Sequence, residues 1–138
     1  MISAQSINWN VDFGRNKMTL EYSIQKAREI PYIKGRARVY SCVVTKRGKI
    51  VGEGENLYDK SHRLQKHYSV KAGFDPERCY LHSELRSILK AAKSNPKDCK
   101  LYVARIDSRG NRLPAYPCPS CQLAIRDAGF ITSIEVTV

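Results

Sequence analysis

A near-continuous apolar run, "CKLYVARI" at 99–106, constrains this chain more than any other stretch. Successive residues of a strand face opposite ways, so a strand apolar on both faces needs cover on both. The covering elements are legible around it. "LHSELRSILKAAK" places Leu81, Leu85, Ile88, Leu89 and Ala92 on a buried helical stripe, and "CPSCQLAIRDAG" reads as a helix with Gly129 in a C-cap position. Earlier, "MTLEYSIQKAREI" sets Leu20, Ile24, Ala27 and Ile30 at spacings of three and four, and Pro31 stops that helix. "RARVYSCVVT" alternates, with Val39, Ser41, Val43 and Thr45 on one face and Tyr40, Cys42 and Val44 on the other. A turn, "KRGK", joins it to "IVGEGENL", which predicts an antiparallel hairpin. Gly52 and Gly54 imply a bulge or a close backbone approach there. "ITSIEVTV" supplies a final strand. The order helix, strand, strand, long loop, helix, strand, helix, strand predicts an α/β fold, a mixed sheet with helices on both faces.

Two segments show no clear period. Residues up to about Lys17, with Trp9 and Phe13, read as an N-terminal arm. "YDKSHRLQKHYSVKAGFDPER", 58–78, is polar, basic and aromatic, and reads as a long functional loop. At 138 residues the whole chain, 1–138, is expected to form one domain. It shows neither a signal-peptide core nor a membrane-length apolar run, which points to a cytoplasmic protein with no membrane partner. Five scattered cysteines do not read as a disulfide framework. The excess of 24 Lys and Arg over 13 Asp and Glu, formally +11, favours a polyanionic partner or a phosphorylated substrate.

Chemistry concentrates in "AYPCPSCQLAI", 115–125, where Cys118 and Cys121 stand three apart at a helix start. Two thiolates do not complete the four-coordinate shell that zinc prefers. The third ligand is expected to be His82 in "LHSEL", because loops leaving neighbouring strands of a layered fold meet at one edge. One histidine and two thiolates leave a position for water, the catalytic type of site. Zinc lowers the pKa of a water it binds towards neutral. Glu84, two residues beyond His82, is placed to move protons without binding the metal. Two other readings stay open. Cys118 and Cys121 as a redox pair would leave His82 and Glu84 unexplained. A closed structural zinc would need a fourth ligand from His62, His67, Cys42, Cys99 or, foremost, Cys79, three residues before His82.

H-x-E followed by P-C-x-x-C is the signature of zinc-dependent nucleobase deaminases, and it stands here as "HSE" at 82–84 and "PCPSC" at 117–121. The chain resembles the cytidine and deoxycytidylate deaminase superfamily from about Ala37 to Val138. "GEGEN" resembles the family's G-x-N segment, and "KSHRLQKHY" a T-H-P-L-Q-like stretch of short phage-type members. The resemblance implies a three-layer α/β/α cytidine-deaminase-like fold and a Zn2+ cofactor held by His82, Cys118 and Cys121, with Glu84 as the proton carrier. It also implies that Asn56 contacts the sugar or base, that the Ser83 backbone contacts the base, and that homo-oligomers are possible. Tyr58, Tyr68, Tyr80 and Tyr116 are candidates to stack on a base, Tyr116 first because it adjoins the ligands.

The expected substrate is a free cytosine nucleotide, deoxycytidylate-like. His62 and Arg63 would grip its phosphate. The runner-up is a cytosine or adenine base within single-stranded DNA or RNA. There the basic 60–71 loop, with Lys60, Lys66, His67 and Lys71, would track the strand. A third reading is a non-catalytic basic zinc module that binds nucleic acid.

Overall fold

The computed structural model describes residues 19–138, so the arm with Trp9 and Phe13 lies outside the described residues. The elements run α1 (Leu20–Glu29), β1 (Arg38–Val44), β2 (Ile50–Glu55), α2 (Arg63–Lys71), a 3-10 turn (Pro76–Arg78), α3 (Ser83–Ala92), β3 (Cys99–Ile106), β4 (Arg112–Leu113), α4 (Pro119–Ala128) and β5 (Ile131–Val136).

The apolar run at 99–106 is the sheet's centre. On one edge β3 pairs antiparallel with β1, from Arg38 opposite Ile106 to Val44 opposite Lys100. On the other it pairs parallel with β5, and the two-residue β4 takes the end of that edge at Arg105 and Ile106. β2 closes the far side of β1 as the expected hairpin. The sheet is therefore mixed. One face, with Tyr40, Cys42, Val44, Tyr102, Ala104 and Ile106, is covered by Ile24 and Ala27 of α1. The opposite face, with Val43, Leu101, Val103 and Ile134, is covered by Ile88 and Ala91 of α3 and Ile125 of α4. The alternation read in β1 thus separates the two cores.

Gly52 marks a close approach. A Cβ there would lie 2.0 Å from the Ser87 carbonyl oxygen, so only glycine lets α3 rest on β2 at this distance. The hairpin register also shifts beside it, between Val43 and Val44.

Two expectations need correction. The stripe of α3 buries Ala91, whereas Ala92 is exposed. Ser83, Glu84 and Ser87 share the buried side, and the Ser87 hydroxyl donates to the Ser41 carbonyl at 3.0 Å. Such bonds make a polar helix face burial-compatible, which apolar periodicity alone does not register. The segment 58–78 is no long loop: it holds α2 and the 3-10 turn. The residues of α2 buried most fully are the polar Gln65 and Ser69, beside the partly buried Leu64 and Tyr68, so its inward stripe hides from a hydrophobic period. Within the loop at 107–117, Arg112 and Leu113 form the short β4.

Candidate metal centre and substrate cavity

α3 and α4 lie on the same face of the sheet and pack on each other through Leu85 and Ala124. That packing sets their N-termini side by side. His82 is the N-cap of α3 and Cys118 the N-cap of α4, and Cys121 follows in the first turn of α4. Pro119, rather than Pro117, takes the first helical position, where a missing N–H removes no helical bond. Pro117 lies outside the helix, and its carbonyl accepts from Gln122 Nε2 at 2.9 Å. Neither His82 nor Cys118 caps its helix with its side chain. Both side chains are left to face each other.

The Nδ1 atom of His82 is 3.3 Å from Cys121 Sγ and 3.6 Å from Cys118 Sγ. Tetrahedral zinc with ordinary Zn–N and Zn–S bonds would hold such atoms about 3.6 Å apart. The ligand atoms of His82, Cys118 and Cys121 all lie within 4.8 Å of one another, and the three residues are positioned to hold a metal ion. The donor set, one imidazole and two thiols, is that of zinc. Electrostatics prepare one of the three ligands. The Cys118 thiol is lowered to about 3, above all by the hydrogen bond with Cys121, against burial and with help from His82 and Ser120. Burial opposes charge on His82, but its hydrogen bond to Cys118 and the nearby Glu84 raise its pKa on balance. Cys121 is held well above the usual thiol range, first by its bond to Cys118 and then by burial. A cation held by all three residues would have to displace the proton of Cys121 and any proton on the His82 nitrogen it binds.

Cys79 does not join this group. Its thiol donates to the Pro76 carbonyl at 3.1 Å, and among the described residues the ligand group contains His82, Cys118 and Cys121. Cys42 and Cys99 are buried in β1 and β3.

A cavity of about 200 Å3 opens beside the cluster, lined by His82, Cys118, Glu84, Asn56, Tyr80 and Tyr116 among others. Glu84 is 6% exposed, and burial raises its carboxyl pKa, partly offset by His82, its own backbone N–H and Ser83. The Ser83 hydroxyl donates to Glu84 Oε1 at 3.0 Å and meets the Ser41 hydroxyl at 2.6 Å. Its side chain therefore supports the carboxylate from inside the core and does not line the cavity. The Ser83 backbone N–H donates to Asn56 Oδ1 at 2.8 Å. The Asn56 amide nitrogen donates to the Tyr58 hydroxyl at 3.1 Å, which in turn donates to the Ala37 carbonyl. Asn56 thus faces the cavity with its amide already oriented.

Of the other expected contacts, Tyr116 lines the cavity and is 59% exposed. His62 and Arg63 are not among the lining residues. His62 is the N-cap of α2, its Nδ1 accepting from the Leu64 N–H at 3.0 Å, and Arg63 is the exposed first residue of that helix. The helix α2, which the sequence pattern does not reveal, gives the His62 imidazole this capping bond. The sequence offers Tyr80, whose ring centroid lies 4.7 Å from that of His82, only as one of several candidate stacking tyrosines, and it passes over Arg105, on the cavity wall from the end of β3. Their signals were faint. Tyr80 stands two residues before a ligand, and Arg105 is the one exposed residue of an otherwise buried strand.

Among curated proteins, none matches the chain in sequence. Solved structures do. The crystal structure of cytidine deaminase from Mycobacterium tuberculosis is 15% identical, with a TM-score of 0.52 over 95% of this chain and 85% of that one. A mutant of the same enzyme gives 16% identity and a TM-score of 0.53 over 94% of this chain and 83% of that one. These likenesses bear out the fold. The family described as the cytidine and deoxycytidylate deaminase zinc-binding region matches residues 15–137. With its His82, Cys118 and Cys121 gathered at two helix N-termini, the chain belongs to the cytidine and deoxycytidylate deaminase family of zinc-binding proteins.

Proposed function

We propose that this chain is a hydrolytic deaminase that converts a cytosine nucleotide, deoxycytidylate-like, into the uracil product. The observation that carries the reading is Glu84: a buried carboxyl on the wall of the same cavity as His82 and Cys118. His82, Cys118 and Cys121 would hold zinc, which supplies electrophilic activation of the attacking water. Glu84 accepts a proton from that water and passes protons to the ring nitrogen and the departing amine, so that water enters and ammonia leaves. Its raised pKa suits that exchange, because a carboxyl nearer neutrality both takes and returns a proton. Ser83 holds the carboxylate in place. Asn56, fixed between the Ser83 N–H and the Tyr58 hydroxyl, orients the sugar or base, and Tyr116 covers the ring from the rim.

A cavity of about 200 Å3 suits one pyrimidine ring with part of its sugar, which favours a monomer. The exposed Lys60, Arg63, His67 and Lys71 favour the runner-up, a base within single-stranded DNA or RNA. The test is a product assay on zinc-loaded protein. Deoxycytidylate, cytidylate, both nucleosides and a single-stranded oligonucleotide are offered in parallel, with Glu84→Gln as the blank. Uracil product from the nucleotides, lost in Glu84→Gln with zinc content unchanged, is the expected result. Uracil formed only in the oligonucleotide would replace it with the polymer reading. No product from any substrate would leave a non-catalytic zinc module.

A further inference from the structure

We propose that Arg36 is the group that reads the phosphate of the substrate, and so decides between nucleotide and nucleoside. This rests on the deaminase reading above and adds the residue that sets its specificity.

The guanidinium of Arg36 lies over the Tyr58 ring, 4.5 Å from its centroid, and 5.6 Å from that of Tyr80. The two rings are themselves 4.6 Å apart, and Tyr80 stacks towards His82. Arg36 is thus tied to the metal-ligand end of the molecule by a row of aromatic contacts. A guanidinium stacked on rings keeps its in-plane N–H donors free for an oxyanion. Among the described residues, no ion pair involves Arg36, although it is solvent-exposed and mounted on a fixed platform.

Its surroundings suit an anion next to the reacting ring. Arg36 lines a second cavity of about 180 Å3, whose wall includes Val39 and Asn56. Those two residues also line the catalytic cavity, so the spaces adjoin across them. Arg38 lines the second cavity too, and among the described residues its guanidinium donates to the carbonyls of Arg28, Ile30 and Asp107. Carbonyls satisfy its donors without cancelling its charge. The cavity therefore carries two guanidinium charges against the single carboxylate of Glu55. A ring placed against Glu84 with its sugar beside Asn56 would direct a phosphate ester over that shared wall towards Arg36. The basic residues of α2 line neither cavity.

The experiment compares wild-type, Arg36→Gln and Arg36→Lys on deoxycytidylate and deoxycytidine, with inorganic phosphate and deoxyuridylate titrated calorimetrically. Loss of one charge-assisted, bidentate contact predicts a fall of about 10- to 100-fold in kcat/KM for the nucleotide in Arg36→Gln. Turnover of deoxycytidine should change less than about twofold, and Arg36→Lys should recover only part of the loss. Affinity for deoxyuridylate and phosphate should fall in parallel. An equal loss on both substrates would make Arg36 a structural residue and overturn the proposal, as would no loss on either. If no substrate is turned over, the deaminase reading fails separately. In that event phosphate binding that depends on Arg36 would still uphold the anion site, and its absence would end it.

Discussion

Two histidines of this chain occupy the same local position and do different things. His62 is the N-cap of α2 and His82 the N-cap of α3, both with extended backbone. The ring of His62 turns back on its own helix, accepting from the Leu64 N–H. The ring of His82 makes no such bond and faces Cys118 and Cys121 instead. What separates them is the neighbour. α4 brings two thiols to the end of α3, whereas the described structure brings no such donors to the end of α2. The position of a histidine on a helix therefore does not decide its chemistry; the element packed against it does.

The strongest way to break this comparison is to remove the ring that has metal partners. His82→Ala should reduce bound zinc from about one per chain to a small fraction, because two thiols alone leave the site short of its donor set. Metal analysis after dialysis checks it; full zinc retention would show that the cluster is held by other residues. A second change separates the support of the site from its ligands. Gln65, 1% exposed on α2, accepts the His82 backbone N–H at 3.1 Å. Gln65→Leu leaves that buried donor without its partner and should cost about 1–3 kcal/mol in denaturant unfolding. Stability within experimental error of wild-type would show that the bond between α2 and α3 is dispensable.

A third change addresses the capping histidine directly. His62→Ala should lower stability by about 1 kcal/mol, and His62→Asn should restore most of it, with zinc content unchanged in both. Loss of zinc from His62→Ala would instead place that ring in the metal chemistry. The smallest effect is expected at the exposed face of α2. Arg63→Gln should change stability by no more than about 0.5 kcal/mol. It should also leave kcat/KM for a free nucleotide unaltered, since Arg63 does not line the cavity. A steep, salt-dependent loss of oligonucleotide affinity in the same variant would point to the polymer substrate.

The fold was legible wherever burial is apolar. The β1 alternation, the central β3 run and the leucine and isoleucine stripe of α3 each follow the rule that apolar periodicity marks the buried side. It was illegible where burial is polar. α2 buries Gln65 and Ser69, and α3 buries Ser83, Glu84 and Ser87, so α2 was missed and the α3 stripe was set one residue off at its end. Gln65 and Ser83 owe their burial to partners far along the chain: Gln65 to His82, and Ser83 to Ser41 and Asn56. No local pattern carries that information.

By itself, then, the sequence determined the donor set and the elements that carry it: one imidazole and two thiols at helix starts, a carboxyl two residues from the histidine, and a hairpin ending in Asn56. Residue spacing within an element is a local property, and helix starts are chosen by local chemistry. Only the tertiary structure decided which of the basic and aromatic residues stand around the cavity. It placed Arg36, Tyr80 and Arg105 at or beside the site and left His62 and Arg63 on the helix α2. The reason is that a cavity wall is assembled from several segments at once, so its membership depends on how the helices pack on the sheet, through contacts that no short stretch of sequence contains.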